Sequence, residues 1–487
     1  MQFISTRASD LPNAAATRAK PAGRAAVFWC GLLLLSLSYE LPLYEVTSYD
    51  RLNPRLFDVV LVLAALFSGW RLRIKDAFVG SWLAVTLSFV LIGGLSFLFL
   101  LPDDYRFFSL FYAIKYIEIM LFLLIISGFD WSREQVVILI KCFVAGVAFA
   151  GAWGILQKLG LLPTERYLPS GELINVSQGA ILSTYGPTYF HAGIMGAMGA
   201  TAALALRMEN RLSWLWFVPL FSLSVFLAVF AGSRAGLALF LFAAGLALFR
   251  RSLYVVLGIV VVTLVLLLPG VVDYLLGESI TVQRIVDTEH ANSVEGRISL
   301  GTLGQLARLI DYHGAGIFLH GGGFYAVPMP DLTGLVRYRV GYGIHNIHLF
   351  PLEQAGIMGL LACMTFWVVA LSKAWRARIG SLGASGLSLL VGIAVIGWAG
   401  QIFFLGFGTE NMLAAQLGMI YLLITAGQLA GTSIASEGPL AASPFTPATP
   451  HASQPGPSPG ERESQEKESK TPTSRDEESP LSRFLAR

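Results

Sequence analysis

The groups in this 487-residue chain best placed for chemistry are one imidazole and two guanidiniums. His345 lies in Ile344 to Gly359, I-H-N-I-H-L-F-P-L-E-Q-A-G-I-M-G, where a polar loop runs into an apolar stretch. A neutral imidazole there can accept a hydroxyl proton near pH 7. Arg234 sits in Ala231-Gly-Ser-Arg-Ala-Gly236, between two apolar runs. Ser233 can cap the second run as a helix, whose first N–H groups then point outward. A helix start beside a planar cationic fork suits an anion, a diphosphate in particular. Arg297, in Glu295-Gly-Arg-Ile298, opens a loop helix and could approach the same place. Each group also has a plainer use: His345 as a capping or interface histidine, Arg234 as a flanking charge snorkelling to headgroups, Arg297 as a solvated loop charge.

On one helix at about 100° per residue, His345, Leu352, Gly356 and Gly359 fall within about 40° of each other. The ring and a glycine notch then face one neighbour, and such a notch admits a second backbone. Pro351 would bend this helix or mark its true first turn, leaving 345–350 as a lead-in. Asn346 follows the imidazole directly. Glu353, about 80° round, could orient a ring or bind sugar, and His348, about 60° the other way, could touch substrate, although packing suits it better.

The elements that must position these groups are membrane helices. Hydrophobic residues make up 55% of the chain and charged ones 13%, with mean hydropathy +0.64. A soluble protein carries about a quarter charged residues, so the chain is a polytopic membrane protein whose first partner is the lipid bilayer. Nothing points to nucleic acid, and a net charge of +3 over the whole chain selects no partner. Cys30, Cys142 and Cys363 lie in apolar runs without paired spacing, which implies neither disulfides nor a metal site; no cofactor is implied either.

A span needs about 20 mostly apolar residues. Candidates are 25–44, 55–70, 77–101, 106–129, 135–159, 187–206, 213–232, 234–249, 252–272, 344–372, 384–408 and 411–430. The fold expected is therefore all-α with about twelve transmembrane helices. Residues 1–24 form a cytoplasmic basic arm, 25–272 hold spans one to nine, 273–343 a large periplasmic loop between spans nine and ten, 344–430 spans ten to twelve, and 431–487 a disordered tail rich in Pro, Ser, Glu and Lys. Lys and Arg concentrate in the short loops on the side of the N-terminal arm, so both termini are expected to be cytoplasmic.

Lys115 and Glu118, three residues apart inside span four, read equally as a structural ion pair and a functional polar patch. Gly193, Gly196, Gly199 and Ala200 form a close-packing face. Residues 298–311 carry apolar side chains at helical spacing, an amphipathic helix for the membrane interface, and the glycines of 313–324 read as a flexible turn.

Together, His345-Asn346 followed by Gly356 and Gly359, Gly-Ser-Arg234-Ala-Gly, and Arg297 ahead of a loop helix resemble the signature of the O-antigen ligase and O-antigen polymerase superfamily, over roughly residues 187–425. The resemblance implies a bundle of about a dozen helices at the bacterial inner membrane. It also implies metal-independent, inverting transfer of a glycan from undecaprenyl diphosphate to an acceptor glycan or glycolipid. On that pattern Arg234 and Arg297 hold the diphosphate and His345 is the base, with Ser233, Asn346, His348 and Glu353 lining the substrate. Ala238 departs from the ligase pattern, which has leucine there, and ligase and polymerase both stay open. Two rivals remain: a secondary transporter, against which no paired interrupted spans are visible, and an outward-facing binding protein without catalysis.

Overall fold

Polar residues at the edges of the apolar runs start the helices. Asp76 Oδ1 accepts from the Phe78 N–H (2.8 Å). Ser132 and Gln135 cap each other's backbone. The Ser233 hydroxyl accepts from the Gly236 N–H (3.0 Å), as its place in the sequence predicted. The computed structural model describes residues 22–41, 43, 54–70, 73–74, 76–100, 103–163, 183–185, 189–249, 303–322, 326–330, 336–340, 346–398, 403 and 410–436. They form α1 (Arg24–Ser36), α2 (Leu56–Phe67), α3 (Ala77–Leu87), a π-helical segment (Ser88–Gly93), α4 (Gly94–Leu100), α5 (Asp103–Ser127), α6 (Arg133–Lys158), α7 (Tyr189–Met208), α8 (Trp214–Phe230) and α9 (Arg234–Phe249). There follow α10 (Gly304–His313), α11 (Ile317–His320), strands β1 (Ala326–Pro330) and β2 (Val336–Val340), α12 (Phe350–Arg376), α13 (Gly380–Ile396) and α14 (Glu410–Ser436). All belong to one unit, Met1–Ser436.

The fold is helical apart from one antiparallel hairpin, β1 with β2, in the register Ala326 to Val340, which the all-α expectation did not contain. Among the described residues three helices are long and apolar enough to cross a membrane: Arg133–Lys158, Phe350–Arg376 and Glu410–Thr432. Six shorter apolar helices accompany them, which supports a helical membrane protein without fixing the count at about twelve spans. The proposed span 252–272, Arg297, His345 and the tail from 437 lie outside the described residues.

Glycines set the helix crossings. A Cβ at Gly196 would meet the Ala228 backbone at 2.6 Å, and one at Gly199 the Ser224 hydroxyl at 3.0 Å, so α7 and α8 run antiparallel in contact. A Cβ at Gly193 would sit 2.4 Å from Ser233 Cβ, which brings the starts of α7 and α9 together. The small-residue face expected on this helix is thus occupied. Cys30 and Cys363 are buried, and Cys142 Sγ fills the notch at Gly31; all three are free, as packing residues should be.

Ties between helices define the bundle's two ends. At one, Gln135 Nε2 donates to the Ala22 carbonyl, Arg133 pairs with Glu209 (2.7 Å), and Glu209 accepts from the Leu382 N–H (2.9 Å). Gly431, late in α14, faces Ile379 at this same end. The start of α1 and the close of α14 therefore share one end of the bundle, beside Arg133, Lys373, Arg376 and Arg378. The other end gathers the starts of α7, α9 and α14.

Candidate functional site

Residues 346–356 do not form one continuous helix. Backbone angles leave the helical region at Ala355 (φ −138°, ψ 24°) and Gly356 (φ 61°, ψ −155°). The positive φ suits glycine, and a Cβ at 356 would meet the Leu319 carbonyl at 2.3 Å. The helix begins at Phe350 with Pro351 in its first turn, so the shared face drawn from His345 through Gly359 is broken, and the lead-in alternative is the one the chain adopts.

The break reverses the chain. His348 and Trp367 have ring centroids 5.9 Å apart, whereas nineteen residues of straight helix would separate them by about 28 Å. Gly359 confirms the fold-back: a Cβ there would touch the Pro351 carbonyl at 2.6 Å and Ala355 Cβ at 2.8 Å. The segment Asn346–Ala355 consequently lies back along the rest of α12. It is fastened at its deep end to the close of α13. The Ile347 N–H donates to the Gly397 carbonyl (3.0 Å), and Asn346 Nδ2 donates to the Trp398 carbonyl (3.2 Å).

The amide of Asn346 spends three of its four possible hydrogen bonds on the backbone, since its Oδ1 also accepts from the N–H groups of His348 (2.8 Å) and Leu349 (3.2 Å). It holds the turn that follows position 345. His348 Nε2 donates to the Ala394 carbonyl (2.9 Å), and its ring lies 4.8 Å from that of Trp398. This is the packing role that suits it. Glu353 is buried, and its backbone carbonyl accepts from Gly322.

The loop glycines at 313–324 do more than turn. Ile317–His320 form a single helical turn seated on the break in α12, where a Cβ at Gly321 would meet the Ala355 nitrogen at 2.6 Å. Leu306 and Ile310 of α10 pack with Ile317 and Leu349. Part of the apolar face expected on this helix, Leu306 and Ile310, therefore packs on α11 and the lead-in segment, while Leu303 stays exposed.

Ser233 and half-buried Arg234 lie at the same end of the bundle as this segment. The start of α9 meets α7 at Gly193, and α7 ends at Glu209, beside the start of α13. The close of α13 thus returns to the level of Arg234; on the way, Gly392 packs against Leu239 and Phe242. Ser233 and Arg234 lie at the level of the close of α13, to which Asn346 and His348 are fastened, with Glu353 further along the returning segment. Arg297 and His345 lie outside the described residues.

The same end holds charges that spacing alone did not assemble. Lys115 Nζ lies 2.8 Å from Glu118 Oε2, 2.8 Å from Glu410 Oε2 and 3.1 Å from Asp58 Oδ1, while Arg55 Nη1 reaches Glu410 Oε1 at 3.5 Å. The side chains of Arg55 and Glu410 are almost wholly buried. Only the Lys115–Glu118 pair was visible as an i, i+3 spacing; Arg55, Asp58 and Glu410 come from helix starts far away in sequence. A run of edge-to-face rings from Tyr116 through Phe89 to Phe350 links this cluster to the lead-in segment (5.1 and 6.3 Å). A second buried pair, Glu40 with His191 Nδ1 (3.2 Å), sits two residues before Gly193. Asp58, Glu118 and Glu410 are close enough to share a cation, and the Lys115 ammonium takes that place.

The chain matches no protein-family model and none of the curated proteins compared with it.

Proposed function

We propose that the protein is an O-antigen ligase-like glycosyltransferase of the bacterial inner membrane, with about twelve spans and both termini in the cytoplasm. It moves a glycan from undecaprenyl diphosphate to an acceptor hydroxyl at the periplasmic face, in the making of surface polysaccharide or lipopolysaccharide. One observation carries this reading: the capped, cationic helix start Ser233–Arg234 and the fastened turn directly after His345 belong to the same end of the bundle, although 111 residues separate Arg234 from His345.

The capped start of α9 and the Arg234 guanidinium receive the donor diphosphate, joined by Arg297 from the loop. His345 takes the proton of the acceptor hydroxyl as its oxygen bonds to the anomeric carbon. The bond from that carbon to the diphosphate breaks, and undecaprenyl diphosphate leaves with its charge held by the arginines. The donor bond is already activated, so no nucleotide enters. Asn346 acts by holding the turn after His345, and α11 clamps the break at Gly356 that returns the chain.

Purified protein supplied with one defined lipid-linked oligosaccharide tests this. Transfer with release of undecaprenyl diphosphate, lost by about 10²–10⁴-fold in His345→Ala and Arg234→Ala, supports it. A ladder of product lengths identifies the polymerase form and one discrete shift of the acceptor the ligase form. Near wild-type turnover in either variant removes that residue from its role. The interrupted α12 and the buried ion cluster also suit a secondary transporter. Ion-coupled uptake into vesicles without glycan transfer would establish that reading instead.

A further inference from the structure

At the bundle end opposite the candidate site, a cleft of about 550 Å³ opens between α9, α12 and α13. Its walls are Leu246, Leu371, Trp375, Leu387 and Val391. Ser388 also lines it, but its hydroxyl is spent on the Ala384 carbonyl (2.9 Å). Ser372 lines it too, at the exposed side, so the wall is apolar apart from that hydroxyl and lies on one membrane-length helix and two shorter apolar ones. The rim is the reverse. Trp375 is 57% exposed, and the Arg378 guanidinium stacks on its ring at 4.0 Å while donating to the Trp375 carbonyl. Arg376, on the last turn of α12, is exposed.

We propose that this cleft is a binding site for an anionic phospholipid, with an acyl chain along the apolar wall and the headgroup phosphate held by Arg378 and Arg376. An apolar cleft inside a bilayer is filled most simply by a lipid chain, and basic pockets between membrane helices select anionic headgroups. Arg378 suits that task because the indole holds its planar fork in place before any ligand arrives. An aromatic ring beside a cation at a helix end is also the chemistry of the headgroup level. The proposal rests on the membrane reading of the helices and is independent of glycan transfer.

Native mass spectrometry of the purified full-length protein, with dioleoyl phosphatidylglycerol and dioleoyl phosphatidylcholine as probes, tests it. The wild type should retain the anionic lipid about fivefold more tightly per basic rim group. Arg378→Gln should remove about one such factor while leaving phosphatidylcholine unchanged. Leu387→Trp, which fills the cleft, should abolish retention of both lipids; Val391→Phe serves the same purpose if the first variant is not monodisperse. Equal retention of both lipids by the wild type overturns the proposal. So does undiminished lipid in both filled variants, or a dimer that dissociates on filling, which would put a second copy in the cleft.

Discussion

The two ends of the bundle use the same residue types for opposite purposes. At the basic end, ion pairs sit in partial solvent: Arg211 with Glu134, Arg133 with Glu209, Lys373 with Asp76. Their side chains keep between 9% and 66% of their exposure, and each pair joins two helices across a loop. At the other end Arg55, Lys115 and Glu410 keep 9% or less, and Lys115 alone meets three carboxylates. Exposed pairs cost little to make and return little. Buried ones must overcome desolvation and stabilise less than well-packed apolar side chains would. Five charged groups gathered at one end of the bundle, next to a reversed helix, fit a functional polar patch as well as a structural ion cluster.

The largest effect that would test this contrast comes from Lys115→Met. Among the described residues the cluster sets two cations against three carboxylates, and the variant leaves one against three. Uncompensated buried charge of this kind costs about 3–5 kcal/mol. Thermal unfolding in nanodiscs should show a drop of that order, with loss of transfer activity. A variant that melts within a degree of wild type would mean that the cluster is hydrated and the contrast false.

Gly356→Ala comes next. The substitution places a Cβ against the Leu319 carbonyl and asks alanine to hold φ 61° with ψ −155°. Such backbone strain costs about 1–3 kcal/mol before the clash is relieved. The expected result is a modest fall in melting temperature with a disproportionate loss of activity, since α11 must lift from the break that returns the lead-in segment. Activity falling only in step with stability would separate that turn from the site.

These two positions also mark what was legible in the sequence. Apolar runs gave the helical bundle, and the serine before Arg234 gave a capped helix start, because both follow from local composition and local hydrogen bonding. The period of 3.6 residues hid the reversal at Gly356: Pro351 signalled a bend or a first turn, but nothing local marked the break at 355–356, where α11 packs from a distant loop. The ion cluster was half visible. Lys115 and Glu118 are neighbours on one helix, whereas Arg55, Asp58 and Glu410 look like ordinary flanking charges until two helix starts converge on the middle of α5. Asn346 stands at the substrate only through the resemblance of His345-Asn346 to a family signature; its three backbone bonds were beyond any spacing rule.

A smaller effect sharpens the cluster itself. Glu118 is the most exposed of its three carboxylates, at 25%. Glu118→Gln removes one negative charge from a group with an excess of one and keeps an acceptor for Lys115. Its unfolding free energy should stay within about 0.5 kcal/mol of wild type, as surface-facing substitutions do. Glu410→Gln, by contrast, weakens the bridge between Lys115 and Arg55 and should cost more. Equal costs for the two would show that the charge count does not govern the cluster.

The smallest expected change belongs to Arg211→Ala. Arg211 and Glu134 approach to 2.7 Å with 31% and 66% of their side chains exposed. Exposed pairs contribute about 0.2–1 kcal/mol, and at about 1 M salt, where the screening length falls to about 3 Å, that contribution disappears. Melting curves of Arg211→Ala and wild type should therefore converge as salt is added, while those of Lys115→Met and wild type should stay apart, because mobile ions do not reach a buried ammonium. If both pairs converged, salt would be entering the supposedly dry end of the bundle, and the difference between the ends would be one of degree in hydration rather than of purpose.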